Sequence, residues 1–120
     1  MIDKEVCALS LSGENFDPDC IDSFLRSGDV VNKTYKGIVA TRGRYKGSVN
    51  PHSSVFVSST FERVVEIMEA MEIGDGFLVD DRDVCLVIQY SEQCNFEIDS
   101  DLMGRFCKFG ISLGISCYEA

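Results

Sequence analysis

The sequence predicts an α+β domain, with an antiparallel or mixed sheet of about five to seven strands and three helices packed on it. Three observations carry that expectation. "VCALSLS" (6–12) and "ISLGISCY" (111–118) alternate apolar with small or polar residues, the period of a half-buried strand. "STFERVVEIMEAMEI" (59–73) instead repeats its apolar residues every three or four positions, as one face of a helix does. The segments run strand–helix–strand–strand–helix–strand–strand–helix–strand, an order that suits helices segregated onto an antiparallel or mixed sheet.

In the first strand Cys7, Leu9 and Leu11 share one face and Ala8, Ser10 and Ser12 the other. Gly13 to Pro18 is the connection. Asp17 is placed to cap a helix opening at Pro18, whose missing N–H is harmless at the first helical position. Ile21, Phe24 and Leu25 follow helical spacing, and Ser27-Gly28-Asp29 stops that helix. "KTYKGIVATRGRYKG" (33–47) reads as a strand running into a glycine-punctuated basic loop, and "SSVFVSS" (53–59) as a strand after Pro51. The middle helix opens on "STFE", a capping box: the Ser59 hydroxyl accepts from the backbone at Glu62, whose carboxylate reaches back. Phe61, Val64, Val65, Met68 and Met71 are its apolar stripe, and Gly74 ends it.

"DGFLV" (75–79) and "VCLVIQY" (84–90) flank the turn "DDRD" (80–83) and read as a hairpin. The second of these, apolar nearly throughout, is expected at the centre of the sheet and covered on both faces. A third helix follows Asp99, with Leu102, Met103 and Phe106 inward and Gly110 as its stop. In the last strand Ile111, Leu113, Ile115 and Cys117 share a face, opposite Ser112, Gly114 and Ser116. If the first and last strands are neighbours, their small second faces offer either a close seat for a helix or a flat docking surface. "VCALSLSGENFDPD" and "VCLVIQYSEQCNFEID" both lead from a Val-Cys strand through an Asn-Phe-acid turn into a helix, a weak sign of internal duplication.

With 120 residues, 45% hydrophobic and 26% charged, residues 1–120 form a single globular domain. The longest apolar run, "VCLVI", is far below the ~20 residues that cross a membrane. "MIDKEVCALS" lacks the basic-then-apolar order of a signal peptide, so a cytoplasmic location is expected. The six cysteines form no C-x-x-C pair and most sit among apolar neighbours, which reads first as reduced, buried thiols, with a disulfide and then a metal site as the lesser readings.

The net charge is −9, unevenly spread. No acidic residue lies between Asp29 and Glu62, where Lys33, Lys36, Arg42, Arg44 and Lys46 give +5, leaving −14 for the rest. From Glu62 to Asp101 twelve acidic residues face only Arg63 and Arg82. Such a chain repels nucleic acid as a whole and attracts basic proteins.

No catalytic, cofactor or metal site is expected. The sole histidine, His52, sits in a loop without a carboxylate nearby in sequence, and no nucleophile-elbow or papain-like context surrounds any Ser or Cys. "DPD" and "DSD" stand at helix starts, where carboxylates meet unpaired N–H groups, and no segment has the calcium-loop pattern. The glycines match no phosphate-binding fingerprint. "TRGRYKG" mixes arginine, lysine and tyrosine, so an RNA contact is one reading. The plainer readings are a solvated basic loop, or one meeting an acidic surface of its own chain or a partner's.

The acidic stripe is harder to dismiss as a solvated face. Glu62, Glu66 and Glu69 stand on one face of the middle helix with Glu72 beside them, and like charges so spaced oppose the helix by a few tenths of a kcal/mol each. The expected partner-binding residues are Glu62, Glu66, Glu69, Asp80, Asp81 and Asp83, with Asp17 and Asp19 as a second set.

"LSLSG..FDP", the short helix after it, the strand leading into an amphipathic helix, and the closing "FGISLGISCY" together resemble a bacterial domain-of-unknown-function family. Its members look similar to immunity proteins of contact-dependent growth inhibition and other polymorphic toxin systems. The shared motifs are Ser12-Gly13, Phe16-Asp17-Pro18 and an Ile-x-Leu-x-Ile-x-x-Tyr ending at Tyr118. Ser27-Gly28 and Val55-Phe56 stand where members carry leucine-glycine and a tryptophan. The resemblance implies a non-enzymatic, cytoplasmic protein that binds and neutralises a cognate toxin domain, of the nuclease (RNase) type, by occluding its active site. Such a protein binds a basic partner, no nucleic acid and no membrane, and a monomer is expected. The alternative is an acidic regulatory or scaffolding domain, homodimeric if the 33–46 segment of one copy meets the acidic half of another.

Overall fold

The computed structural model describes residues 2–39, 41, 43–44, 46–73 and 78–120, with the side chains of all of these except Glu72 and Ile73. The alternation seen in residues 6–12 belongs to a longer strand, β1 (Ile2–Gly13), which lies at the centre of a five-stranded sheet. β2 (Val30–Thr34), β3 (Ser53–Ser59), β4 (Asp81–Tyr90) and β5 (Leu113–Glu119) complete it in the order β2-β3-β1-β4-β5. All neighbours pair antiparallel except β4 and β5, which are parallel, so the sheet is mixed. The fold is the expected α+β domain with three helices, and has one strand fewer than the expected element order.

A short 3-10 helix (Pro18–Phe24), α1 (Phe61–Ile73) and α2 (Ser100–Cys107) all pack on one side of the sheet. There Cys7, Leu9, Leu11, Val55, Val57, Val84, Leu86 and Ile88 meet Ile21, Phe61, Val64, Val65, Ile67, Met68 and Phe106 in one core. Phe106 joins the two α-helices, its ring 5.4 Å from that of Phe61. No helix among the described residues is long and apolar enough to cross a membrane.

The cap residues behave much as their chemistry dictates. Asp17 accepts from the Asp19 N–H, and Asp99 from those of Asp101 and Leu102. The cap of α1 is displaced by one residue from the expected box. Thr60 Oγ1 accepts from the Arg63 N–H, while Ser59 ends β3 and donates to Asp29. The first short helix ends at Phe24, and Gly28 turns the chain at φ 97°. The expected Gly74 stop and most of "DGFLV" lie outside the described residues.

Two expectations are corrected, and one open condition is answered. "DDRD" is not a hairpin turn: Asp81, Arg82 and Asp83 begin β4, and Leu78 and Val79 belong to no strand. β1 extends far enough to pair with them, Ser12 opposite Asp81 and Ser10 opposite Asp83, and this ladder overrides the local preference of aspartate for turns. β4 is not the central strand and is covered on one face only, leaving Cys85 and Val87 half-buried on the other. β1 and β5 are not neighbours, because β4 separates them. Among the described residues no helix sits over their small-residue faces.

Gly13, from the Ser-Gly motif, has a packing reason. A Cβ there would lie 2.6 Å from the Leu78 carbonyl oxygen, where the chain returns to start β4.

Candidate functional site

The acidic face of α1 meets the chain's own arginines. Arg63 Nη1 donates to Glu66 at 3.0 Å, and Arg26 Nη1 donates to the same carboxylate at 3.3 Å. Arg105, carried by α2, grips Glu69 with two N–H groups, one of them Nε at 3.0 Å. These bonds hold the Glu69 carboxyl below its usual range and push the Arg105 guanidinium further up. Glu62 is exposed and has no ion pair among the described residues.

Behind this face lies a more buried node. Asp29, its side chain 1% exposed, accepts from Arg63 Nη2 at 2.9 Å, the Ser59 hydroxyl at 2.7 Å and the Arg26 N–H at 2.9 Å. Burial alone would push its carboxyl up. The bonds from Arg63, Ser59 and Arg26 outweigh that and hold it at about 2. Arg63 also donates to the Phe24 carbonyl, so one guanidinium ties the first helix, the turn after it and α1 together.

The second acidic set is likewise engaged within the chain. Asp17 caps the first helix. Asp19 accepts from the Tyr35 hydroxyl at 2.6 Å and from Lys33 Nζ at 3.0 Å, and these bonds lower its pKa. Lys33 also reaches Asp22 at 2.7 Å, and Lys36 stands 3.7 Å from Glu14. The start of the basic segment thus meets the acidic turn of its own chain. Arg42 and Tyr45 of that segment lie outside the described residues.

Asp80, Asp81 and Asp83 are placed differently. Asp80 accepts from the Glu14 N–H at 3.0 Å, fastening the turn after β1. Asp81 and Asp83 are exposed and carry no ion pair among the described residues; Arg82 between them, also exposed, reaches the Phe109 carbonyl on the helix side. Strand alternation puts them on the face of the sheet away from the helices. The expected residues therefore fall into two groups. Glu62, Glu66 and Glu69 stand on the helix layer and Asp81 and Asp83 on the opposite side of the sheet, so no single patch holds them all.

That opposite face is the larger feature, and it extends one of the two expectations for the small faces of β1 and β5, a docking surface, to all five strands. Strand pairing lays Val30, Ser58, Ala8, Cys85 and Gly114 side by side in one uncharged row across all five strands. Asn32, Phe56, Ser10 and Asp83 form the next row, and Thr34, Ser54, Ser12 and Asp81 the one beyond. On the other flank Val6, Val87 and Ser116 align, followed by Lys4, Gln89 and Tyr118. Val30 is 60% exposed, Phe56 43% and Tyr118 46%. The signal was present as the small alternate residues of β1, β3 and β5, but only strand order shows them merging into one surface.

His52 is exposed, and no hydrogen bond engages it among the described residues. Among the described residues no three His, Cys, Asp or Glu side chains gather to hold a metal ion. The chain matches no protein-family model, no curated protein and no solved structure.

Proposed function

We propose that this chain is a non-catalytic, immunity-type inhibitor that binds a basic toxin domain through the helix-free face of its sheet. The observation that carries the proposal is that face itself: an uncharged band bordered at one end by Asp81 and Asp83, which have no ion pair among the described residues. A band of small and apolar residues favours close contact with another protein, and the two aspartates add the sign that suits a phosphate-gripping partner. The net charge of −9 adds long-range attraction for such a partner. The stripe on α1 is a weaker candidate, because Arg26, Arg63 and Arg105 already neutralise much of it. The toxin assignment itself draws on the resemblance of the terminal motifs to immunity proteins.

The test asks whether a neighbouring gene encodes a protein with a toxic C-terminal domain, and measures the binding of that domain to this chain. Asp81→Lys/Asp83→Lys is expected to slow association at low salt by about tenfold and to weaken protection. Glu66→Lys/Glu69→Lys is expected to slow it less. An unchanged rate in the first variant and a large loss in the second would move the interface to α1. Absence of any binding to that domain would remove the toxin assignment.

A further inference from the structure

Cys94 and Cys117 meet where the chain leaves the sheet, their sulfurs 3.7 Å apart and the Cys94 thiol donating to Cys117 Sγ. The topology brings them together. β5 runs parallel to β4, so Cys117 lies beside Ile88 near the ends of both strands. From Tyr90 the chain must pass the end of β5 on the helix side to reach α2, and on this path Cys94, Phe96 and Ile98 pack half-buried against the core.

The other cysteines differ in kind. Cys7 is wholly buried, and burial, with the nearby Cys85 and Glu5 adding to it, pushes its thiol up to about 12, leaving it inert. Cys107 is exposed without a thiol neighbour among the described residues. Cys94 and Cys117 alone, among the described residues, make a thiol–thiol contact.

We propose that Cys94 and Cys117 form a dithiol modification site that closes reversibly to a disulfide, with a low-molecular-weight disulfide as oxidant. Cys117, the more exposed, loses its proton to solvent and attacks one sulfur of R–S–S–R. That bond breaks, and the leaving thiolate takes up a proton. Cys94 then gives up its proton and attacks the Cys117 sulfur of the mixed disulfide, releasing the second thiol. Two protein thiols become one disulfide, and one small disulfide becomes two thiols. Burial and the bond to Cys117 push the Cys94 thiol up, so Cys94 stays protonated while Cys117 makes the first attack. Bond formation at about 2.05 Å requires the sulfurs to close by somewhat less than 2 Å. Residues 91–99 lie outside any helix or strand and can supply that movement. The cross-link would fasten the exposed edge strand β5 to the segment before α2.

The test incubates the full chain with oxidised glutathione at mildly alkaline pH, then alkylates it under native conditions and maps the thiols by peptide mass spectrometry. The expected product is monomeric, has lost alkylation at both Cys94 and Cys117, shows a Cys94–Cys117 cross-linked peptide, and recovers both thiols with dithiothreitol. Cys94→Ser is expected to stop at a glutathione adduct on Cys117. A wild-type chain that keeps a stable adduct on Cys117, links other cysteines, or forms only intermolecular disulfides would overturn the proposal.

Discussion

The two faces of the sheet are built from alternate residues of the same strands, yet they have opposite characters. On the helix side β1 presents Cys7, Leu9 and Leu11, all buried to 2% exposure or less; on the other it presents Ala8, Ser10 and Ser12, half-covered by their neighbours. β3 repeats the contrast, with Val55 and Val57 buried and Phe56 exposed. A one-residue slip of any strand would exchange the two faces, so the core side fixes the register and the open side accepts the result. The helix side carries the stability, and the open side is left free to serve another purpose.

The largest expected effect tests that division. Leu9→Ala, on the helix side of the central strand, should cost about 2–5 kcal/mol in urea unfolding. Its neighbour Ser10→Ala, on the open side, should change stability by less than about 0.5 kcal/mol. Equal losses would mean the open face is not free.

Asp29→Ala should cost about 1–3 kcal/mol, because it removes the buried carboxylate that Arg63, Ser59 and the Arg26 N–H share and leaves Arg63 only Glu66 and the Phe24 carbonyl. The same node makes a pH prediction. The Asp29 carboxyl lies at about 2 in the folded chain, against an ordinary 3.8. A depressed carboxyl stabilises fully above the unfolded value, so its contribution is whole above pH ~4 and is lost as pH falls toward ~2. Acid titration of unfolding followed by circular dichroism should show wild type losing stability in this window more steeply than Asp29→Asn.

Smaller effects belong to the caps. Asp99→Ala should cost about 1 kcal/mol by leaving the Asp101 and Leu102 N–H groups unpaired. Lys33→Met, which breaks the ion pairs with Asp19 and Asp22, should lower stability least of all, and high salt should shrink the difference.

Local chemistry made much of this legible. The period of β1, the apolar stripe of α1, and the caps Asp17 and Asp99 are signals that neighbouring residues settle among themselves, whereas the expected apolar face of β5 is exposed at Ile115 and Cys117. The errors lie where a distant segment intervenes. "DDRD" has turn chemistry, but β1 stands ready to pair with it, and the ladder prevails. The glutamates of α1 read as a negative stripe because two of their cations, Arg26 and Arg105, arrive from residues forty before Glu66 and thirty-six after Glu69. Smallness at alternate positions could be read along each strand, whereas the absence of a covering helix depends on which side all three helices choose.

The placement of β1 between β3 and β4 also bears on how the chain is made. During synthesis this strand leaves the ribosome well before its first neighbour begins at Ser53 and its second at Asp81. At about 5–20 residues per second it waits some seconds for company, its leucines and unpaired peptide groups open to any passing β-segment. Chaperone dependence of the nascent chain would therefore concentrate in this early interval and end once β4 docks.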